Sequence, residues 1–392
     1  MIDTADNTLP RAPSGVRLRY IDALRGFAAL LVVWLHVANS YRILNPLGHE
    51  PWLNDFVSRI DIGRIGVAVF FLISGFVIPF SIKPDGAAPI TGFAIRRLFR
   101  IYPAYWLSVP LAALVFFWTP GIPFGAREFL INITLLQDVF GVPSAEGVYW
   151  TLLVEFAFYA LCIGLLLARS LYSARRIAIV ACAFALVHVF AMFMLWLGRP
   201  IMSVGAAFWF MNLSVMLWGT LYRLNANRDS RDRLALHAMR GLGIFYGLVL
   251  PVSVAFAIHK LPNYAVPYAL AFVVFIAGTT VARIETRLSD WLGRISYSVY
   301  LFHAIVCQVY LMWLLRQPTD SIWRTQHIAL FLAANFALTL IVASLVFRFV
   351  EQPAIRLGHR IAARLERKRA SVPGGKTFTA RATPVEAKPA TG

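Results

Sequence analysis

Apolar runs of about 20 residues alternate with short polar segments along most of this chain. A helix needs about 20 predominantly apolar residues to cross a bilayer, so this pattern predicts ten membrane-spanning helices. They fall at about 21–39, 62–82, 101–118, 148–168, 176–197, 202–222, 241–258, 264–282, 295–315 and 328–349. The predicted fold class is therefore all-α: a polytopic integral membrane helical bundle of about ten transmembrane helices.

The polar ends of the chain set the predicted domain boundaries. Residues 1–19 form a cytoplasmic N-terminal segment, 20–356 the ten-helix membrane domain, and 357–392 a basic, disordered cytoplasmic tail. The end of that tail, 371–392, is rich in Pro, Gly, Thr and Ala, which is typical of disorder. The first apolar run is interpreted as a span and not as a cleaved signal, because about twenty mostly polar residues precede it and charges interrupt it.

The distribution of basic residues predicts the orientation. With the N-terminus in the cytoplasm, seven of the 37 Lys and Arg fall in outer segments, two lie at span starts and 28 face the cytoplasm. This bias agrees with the positive-inside rule. We therefore expect both termini to be cytoplasmic and the protein to lie in the bacterial inner membrane.

Composition supports the membrane assignment and narrows the partners. Hydrophobic residues make up 59% of the chain and the mean hydropathy is +0.67, above the roughly 45–50% apolar share of soluble domains. The net charge of +18 does not indicate nucleic-acid binding, because the basic stretch 364–370 directly follows the last span, where anionic lipid headgroups are nearer. All three cysteines fall inside apolar spans, so neither disulfides nor a metal site is predicted: Cys162, Cys182 and Cys307.

The first predicted helix carries a polar seam. Eleven steps of 100° separate Arg25 from His36 and end about 20° beyond three full turns, so the two side chains share a face. Asp22 lies three residues before Arg25, within pairing distance, and Asn39 extends the stripe. Charged residues facing lipid are costly, so this face must meet protein or water. Asp22 and Arg25 are either an interfacial ion pair or part of a site, whereas the deeper His36 favours function.

A second polar group opens the third span in RRLFRIYPAYW, residues 96–106. Arg97 and Arg100 share one helical face at the cytoplasmic boundary, where guanidinium groups can bind phosphate bidentately. The alternative is an ordinary interfacial anchor, because aromatic residues follow directly.

A third group lies in VYWTLLVEFAFY, residues 148–159, where Glu155 is about two turns into the fourth span. A buried carboxylate needs a partner. His36 is expected at a similar depth and is the predicted partner, and Arg64, at the start of the second span, is a further possibility.

Three other intramembrane polar residues are weighed separately. His303 in LGRISYSVYLFH (292–303) is either a satisfied bundle histidine or a substrate contact. Glu351 in FVEQP (349–353) is more typical of a structural ion pair than of chemistry. Ser74 favours helix packing over a role as nucleophile.

These segments together resemble the membrane-bound acyltransferase family three, which includes O-antigen, exopolysaccharide and Nod-factor O-acetylases. The resemblance runs from about residue 20 to 356 and is carried by the order and spacing of six motifs. They are the Arg25 to His36 pair, FFLISGF (70–76), RRLFRIYPAYW (96–106), YWTLLVEFAFY (149–159), LGRISYSVYLFH (292–303) and FVEQP (349–353).

The resemblance implies an O-acyltransferase that moves an acyl group, usually acetyl, from cytoplasmic acyl-coenzyme A to a hydroxyl of a lipid-linked or exported glycan. Acyl-coenzyme A would be a substrate, and no permanently bound cofactor is expected. In the family the first-helix arginine and histidine are regarded as essential, and they match Arg25 and His36. Arg97, Arg100 and Glu155 match other family motif positions. Some members carry an added extracytoplasmic domain after the last helices, whereas a short cytoplasmic tail is predicted here. Acceptor choice is therefore expected to come from the membrane domain or from a separate partner.

The chemistry of acyl transfer favours the same roles for these residues. A hydroxyl acceptor needs a base, and an imidazole, with an ordinary pKa of about 6.5, suits that exchange. Glu155 is expected to orient the His36 ring as the carboxylate does in hydrolase triads. The alternative function is a transporter or flippase for a glycan or acyl intermediate, because intramembrane Arg, His and Glu also mark transport paths. No internal repeat between the two halves supports that alternative.

Overall fold

A computed structural model describes residues 18–44, 51–82, 84, 86–117, 124–226, 232–250 and 262–370. These parts of the chain are mostly helical and contain no strand. The helices are α1 (Arg19–Leu44), α2 (Pro51–Arg59), α3 (Ile62–Val77), α4 (Pro89–Phe117), α5 (Ala126–Ile133), α6 (Tyr149–Leu167), α7 (Ala174–Trp196), α8 (Val204–Ala226), α9 (Arg233–Ile244), α10 (Pro262–Thr279), α11 (Arg287–Leu315), α12 (Ile328–Val346) and α13 (Gln352–Ala370). Short π-helical turns follow α9 (Phe245–Val249) and α12 (Phe347–Glu351).

Eight helices of the described ranges are long and apolar enough to cross a membrane: α1, α3, α4, α6, α7, α8, α11 and α12 with its continuation into α13. The eighth predicted span corresponds to α10, whose apolar part is shorter, Val266–Thr279. The seventh, 241–258, is helical as far as residue 250 and lies beyond that point outside the described residues. The prediction of an all-α, multi-pass bundle is confirmed.

The start of the predicted tail differs from expectation. Residues 357–370 belong to α13, so the expected disorder from 357 onward is wrong for them. The helix packs on α4, where Gly358 meets Phe99 and Arg96 donates to Glu366 at 3.0 Å. The segment is an amphipathic helix, which can pack one apolar face on a neighbouring helix although it is too polar to span a membrane. Residues 1–17 and 371–392 of the predicted terminal segments lie outside the described residues.

Helix α1 runs between α3 and α11 and packs closely on both. A Cβ at Gly66 of α3 would lie 2.3 Å from the carbonyl oxygen of Ala28, and one at Gly293 of α11 would lie 2.3 Å from that of Asp22. Only glycine permits such backbone approach, which is the usual way that membrane helices pack. The polar seam of α1 is thereby held between protein surfaces and away from lipid.

The bundle has two ends, which we name by α1: the N-terminal side, where α1 begins, and the far side, where it ends. Helices α1 and α11 are parallel, because Arg19 pairs with Asp290 near the N-terminal side and His36 contacts His303 nearer the far side. Since α3 and α6 each follow an odd number of crossings, both begin at the far side.

Candidate active site

A small cavity of about 60 Å³, here called the arginine cavity, lies between α1, α3, α4, α6 and α11. Its polar wall comprises Arg25, Ser74, Arg100, Thr151, Glu155, Tyr159, Ser296, Tyr297 and Tyr300. Arg25 is half-buried and lies within electrostatic range of Arg100, Asp22 and Glu155. The predicted seam of α1 therefore meets protein groups of both signs, and Ser74 lies in the cavity wall.

Glu155 belongs to this cavity and does not partner His36. Its Oε1 accepts a hydrogen bond of 2.5 Å from the hydroxyl of Tyr159, one turn further along α6. Within the described residues no hydrogen bond or ion pair joins Glu155 to His36, so the expected carboxylate–imidazole contact is wrong. Arg64 pairs with Asp61 through Nε at 3.0 Å, and no hydrogen bond or ion pair joins it to Glu155 in the part of the chain that the structure describes.

The two arginines of the third span point into the bundle. Arg97 donates to Ser81 Oγ at 2.6 Å and lies over the ring of Tyr159. Arg100 lines the arginine cavity and forms an ion pair of 3.3 Å with Glu351. Both side chains are therefore held by protein contacts, which a purely interfacial anchor would not require.

Glu351 forms the structural ion pair that the sequence favoured. It is 1% exposed, and its second oxygen accepts a hydrogen bond of 2.6 Å from Ser298. Since Ser298 lies on α11 and Arg100 on α4, this carboxylate fixes the two helices next to the arginine cavity.

A second cavity of about 200 Å³, the histidine cavity, lies nearer the far side. Its lining includes His36, Asp61, Arg64 and Trp150. It shares Val67 and Tyr300 with the arginine cavity. The two cavities are therefore neighbours along the bundle, with Val67 and Tyr300 between them.

The ring of His36 contacts that of His303, with centroids 4.9 Å apart and an interplanar angle of 61°. His303 is fully buried, and its Nδ1 lies 2.7 Å from the carbonyl oxygen of Tyr300. Nδ1 must carry the hydrogen of the neutral ring in order to donate to that oxygen. The other nitrogen, Nε2, then holds a lone pair, and it is buried without a hydrogen-bond partner among the described residues.

Three tyrosines that the sequence analysis did not single out line the arginine cavity. Tyr159 lies four residues after Glu155, and Tyr297 and Tyr300 lie six and three residues before His303. The intervals of four and three residues place Tyr159 and Tyr300 on the same helix faces as Glu155 and His303, and Tyr297 lies three residues before Tyr300. That spacing was the available signal.

The loop before α6 adds a carboxylate beside the histidine cavity. Glu146 directly precedes Gly147 and Val148, which line that cavity. Burial raises the pKa of Glu146 to about 7, although a backbone hydrogen bond from Gly147 opposes the shift. This group lies outside the membrane-spanning helices and titrates near neutral pH.

Comparison with known proteins identifies the family. A model described as an acyltransferase domain matches residues 18–348. Nodulation protein 10 of Rhizobium leguminosarum bv. viciae is 28% identical, over 88% of this chain and 95% of that protein. The putative membrane-bound transacylase BcsY of Komagataeibacter xylinus is 27% identical, over 89% and 86%. The peptidoglycan O-acetyltransferase OatA of Listeria monocytogenes is 23% identical, over 86% of this chain but 56% of that protein.

No solved structure is significantly similar to the chain. The family match nevertheless spans most of the membrane domain and includes the arginine and histidine cavities. The chain therefore belongs to the membrane-bound acyltransferase family three and is a multi-pass membrane O-acyltransferase.

Proposed function

We propose that the protein transfers an acyl group, acetyl in the simplest case, from acyl-coenzyme A on the cytoplasmic side to a hydroxyl of a lipid-linked or exported glycan. The observation that carries this proposal is the pair of neighbouring cavities along α1. One contains Arg25 and Arg100, the other contains His36, and both touch Tyr300. Such an arrangement suits a donor and an acceptor that meet from opposite sides of a membrane.

The donor half is assigned to the arginines. Coenzyme A carries phosphates, and guanidinium groups bind phosphate through charge-assisted hydrogen bonds. Arg97 and Arg100 each have one hydrogen bond to a protein side chain, to Ser81 and Glu351 respectively. A guanidinium has five N–H donors, so others remain for phosphate oxygens.

The donor must reach from the arginine cavity, which Arg25 and Arg100 both line, to His36. Arg25 and His36 are eleven residues apart on α1, or about 16 Å along the helix at 1.5 Å per residue. The long pantetheine arm of coenzyme A suits this separation, since it lets the thioester lie near Tyr300 while the phosphates stay at the N-terminal side.

The transfer step is assigned to His36. As the acceptor oxygen attacks the thioester carbonyl, His36 takes its proton, the new carbon–oxygen bond forms and the carbon–sulfur bond breaks. The proton then passes to the departing thiolate. His303 supports this exchange, because its partnerless Nε2 can accept a hydrogen bond from the adjacent ring of His36 and fix its orientation. Asp61 lines the same cavity as His36 and lies within electrostatic range of it.

The orientation follows from charge. Seven basic residues in the predicted outer segments of the sequence, against 28 in the predicted cytoplasmic ones, favour cytoplasmic termini in a bacterial inner membrane. The acceptor class is proposed from relatives, one of which is described as a peptidoglycan O-acetyltransferase.

The test uses purified protein in vesicles of known orientation. Acetyl-coenzyme A is supplied on the N-terminal side, and oligosaccharides from the surface glycans of the source cell are enclosed on the other. We expect release of coenzyme A together with acylated saccharide recovered from inside the vesicles. Saccharide movement without coenzyme A release would instead support a transporter, and transfer with both substrates on one side would contradict the two-sided assignment.

A further inference from the structure

A third and larger cavity, of about 720 Å³, lies between segments at the far side. We call it the tryptophan cleft, after Trp150 and Trp209 in its wall. Its other lining residues include Phe208 and the polar groups Arg64, Asp138 and Ser203. The start of α3, the loop before α6 with the first turn of α6, and the start of α8 supply these residues, and all of these segments lie at the far side.

Two aromatic rings of the cleft wall are held by packing. Trp150 contacts Phe71 edge-on, with centroids 6.2 Å apart. Phe208 contacts His188 at 5.4 Å, and Nδ1 of His188 lies 2.9 Å from the carbonyl oxygen of Ala207. The cleft wall is therefore preformed, as in most small-molecule sites, and its volume lies in their usual range of roughly 300–1,000 Å³.

The cleft adjoins the histidine cavity. Arg64 and Trp150 line both spaces. A molecule in the cleft could extend one group past these side chains toward His36. The anionic donor is assigned to the opposite side, so the cleft is available to the other substrate.

We propose that the tryptophan cleft binds the saccharide acceptor and presents one hydroxyl to His36. This inference rests on the proposed function and adds the location of its acceptor site. Sugar rings have C–H faces that pack against aromatic rings, and Trp and Tyr serve such surfaces because each also carries a polar handle. The hydroxyls of a sugar both donate and accept hydrogen bonds, which matches a wall with a guanidinium, a carboxylate and a hydroxyl group.

The same wall argues against a lipid tail as the occupant. A hydrocarbon chain would leave Asp138 and Ser203 facing apolar groups, and unmatched polar groups are costly to bury. It also argues against a strongly anionic ligand, because Asp138 would repel it and Arg64 already pairs with Asp61.

Two variants test the cleft in different ways. Trp209→Ala removes one aromatic face. Gly205→Trp places a large side chain in the cleft, because Gly205 lines it and a Cβ there would meet only Ser203 Oγ, at 4.0 Å. The matched controls lie outside the cleft: Trp196→Ala at a side chain that is 64% exposed, and Gly164→Trp at a position with nothing within 4 Å.

The probe is the oligosaccharide mixture released by mild acid from the surface glycans of the source cell. Its binding to each variant is measured by calorimetry, and donor binding is measured on the same samples. We expect both cleft variants to weaken saccharide binding by about tenfold or more, the scale of one lost aromatic contact, and to leave acetyl-coenzyme A affinity unchanged. Neither control should change saccharide affinity.

Each outcome separates this inference from the function it builds on. Saccharide affinity unaffected by both cleft variants, or no saccharide binding to the wild type, overturns the cleft assignment, whereas transfer activity would still support the function. Saccharide binding in the cleft without any acyl transfer would retain the cleft and refute the function. Quenching of Trp209 fluorescence by brominated phospholipid chains, absent in Trp209→Phe, would identify lipid as the occupant and overturn the proposal.

Discussion

His36 and His303 face one another across α1 and α11 with ring centroids 4.9 Å apart, and His303 Nε2 is buried without a hydrogen-bond partner among the described residues. A buried acceptor of this kind lowers the stability of the fold unless it accepts a hydrogen bond. Because the other nitrogen, Nδ1, is held by the carbonyl oxygen of Tyr300, the His303 ring cannot easily turn away from His36.

His303→Gln is therefore expected to slow acyl transfer by about 10- to 100-fold, less than loss of the base itself. The pH dependence of turnover should also shift, because the environment of the His36 ring changes. Donor affinity should stay at the wild-type value. His237→Gln is the control, since His237 is exposed on α9 and lines none of the three cavities. Normal turnover with an unchanged pH profile in folded His303→Gln would show that His303 only fills space.

Arg25→Lys should lose activity although the charge is kept. The carboxylates Asp22 and Glu155 lie within electrostatic range of Arg25, and a planar guanidinium can direct N–H donors toward two such groups at once, whereas an ammonium is a point charge. Arg19→Lys provides the comparison, because Arg19 pairs with Asp290 outside the cavity. Initial rates at saturating acetyl-coenzyme A measure the effect, and wild-type turnover in Arg25→Lys would refute it.

Glu155→Gln should act on the donor and not on the base. The carboxylate lies in the arginine cavity, so its removal leaves Arg25 and Arg100 with less counter-charge and favours an anionic ligand. We expect tighter binding of acetyl-coenzyme A, slower transfer and an unchanged pH profile of turnover. If Glu155→Gln instead shifted that profile as a His36 variant would, the originally expected contact between Glu155 and His36 would be supported.

Stability should fall as the pH rises from about 4.5 to about 7, in part because of Glu146. Its folded-state pKa is raised to about 7 by burial, so the fold favours the neutral acid. This contribution is fully present below the ordinary glutamate pKa and is lost as the pH rises through the folded value. Glu146→Gln should flatten this part of the curve of apparent unfolding temperature against pH.

Glu128→Gln is the control for that measurement. Hydrogen bonds from its own N–H and from that of Gly125 lower the pKa of Glu128, so its contribution is present above the ordinary value and lost only at lower pH. The curve of this variant should keep its slope between pH 4.5 and 7. An unaltered slope in Glu146→Gln would contradict the assignment.

Helical periodicity was sufficient to predict the seam of α1. The 3.6-residue repeat places Arg25 and His36 on one face whatever surrounds them, and both residues do line cavities. The ion pair of Glu351 was also predictable in kind, because a buried carboxylate requires a cation. Its identity, Arg100, comes from a helix about 250 residues away and was not specified by local sequence.

The partner of His36 could not be predicted in the same way. The pairing with Glu155 depends on estimated depths, and span boundaries taken from a sequence are accurate only to about two to four residues, or up to one helical turn. Which helices neighbour α1 depends on close packing at glycines such as Gly293, which brings α11 and His303 against it. The tryptophan cleft is equally non-local, since it combines the starts of α3 and α8 with the loop before α6 and the first turn of α6.

The central claim is that donor binding and acyl transfer occupy different cavities. It is tested most directly by calorimetric titration of acetyl-coenzyme A into His36→Ala and into the double variant Arg97→Ala with Arg100→Ala, with single-turnover transfer measured on the same samples. His36→Ala should bind the donor almost normally and transfer about 10² to 10⁴ times more slowly, the usual contribution of a general base. The double variant should lose donor affinity. If His36→Ala lost donor affinity as severely as the arginine pair, or transferred at the wild-type rate, the two-cavity account would be wrong.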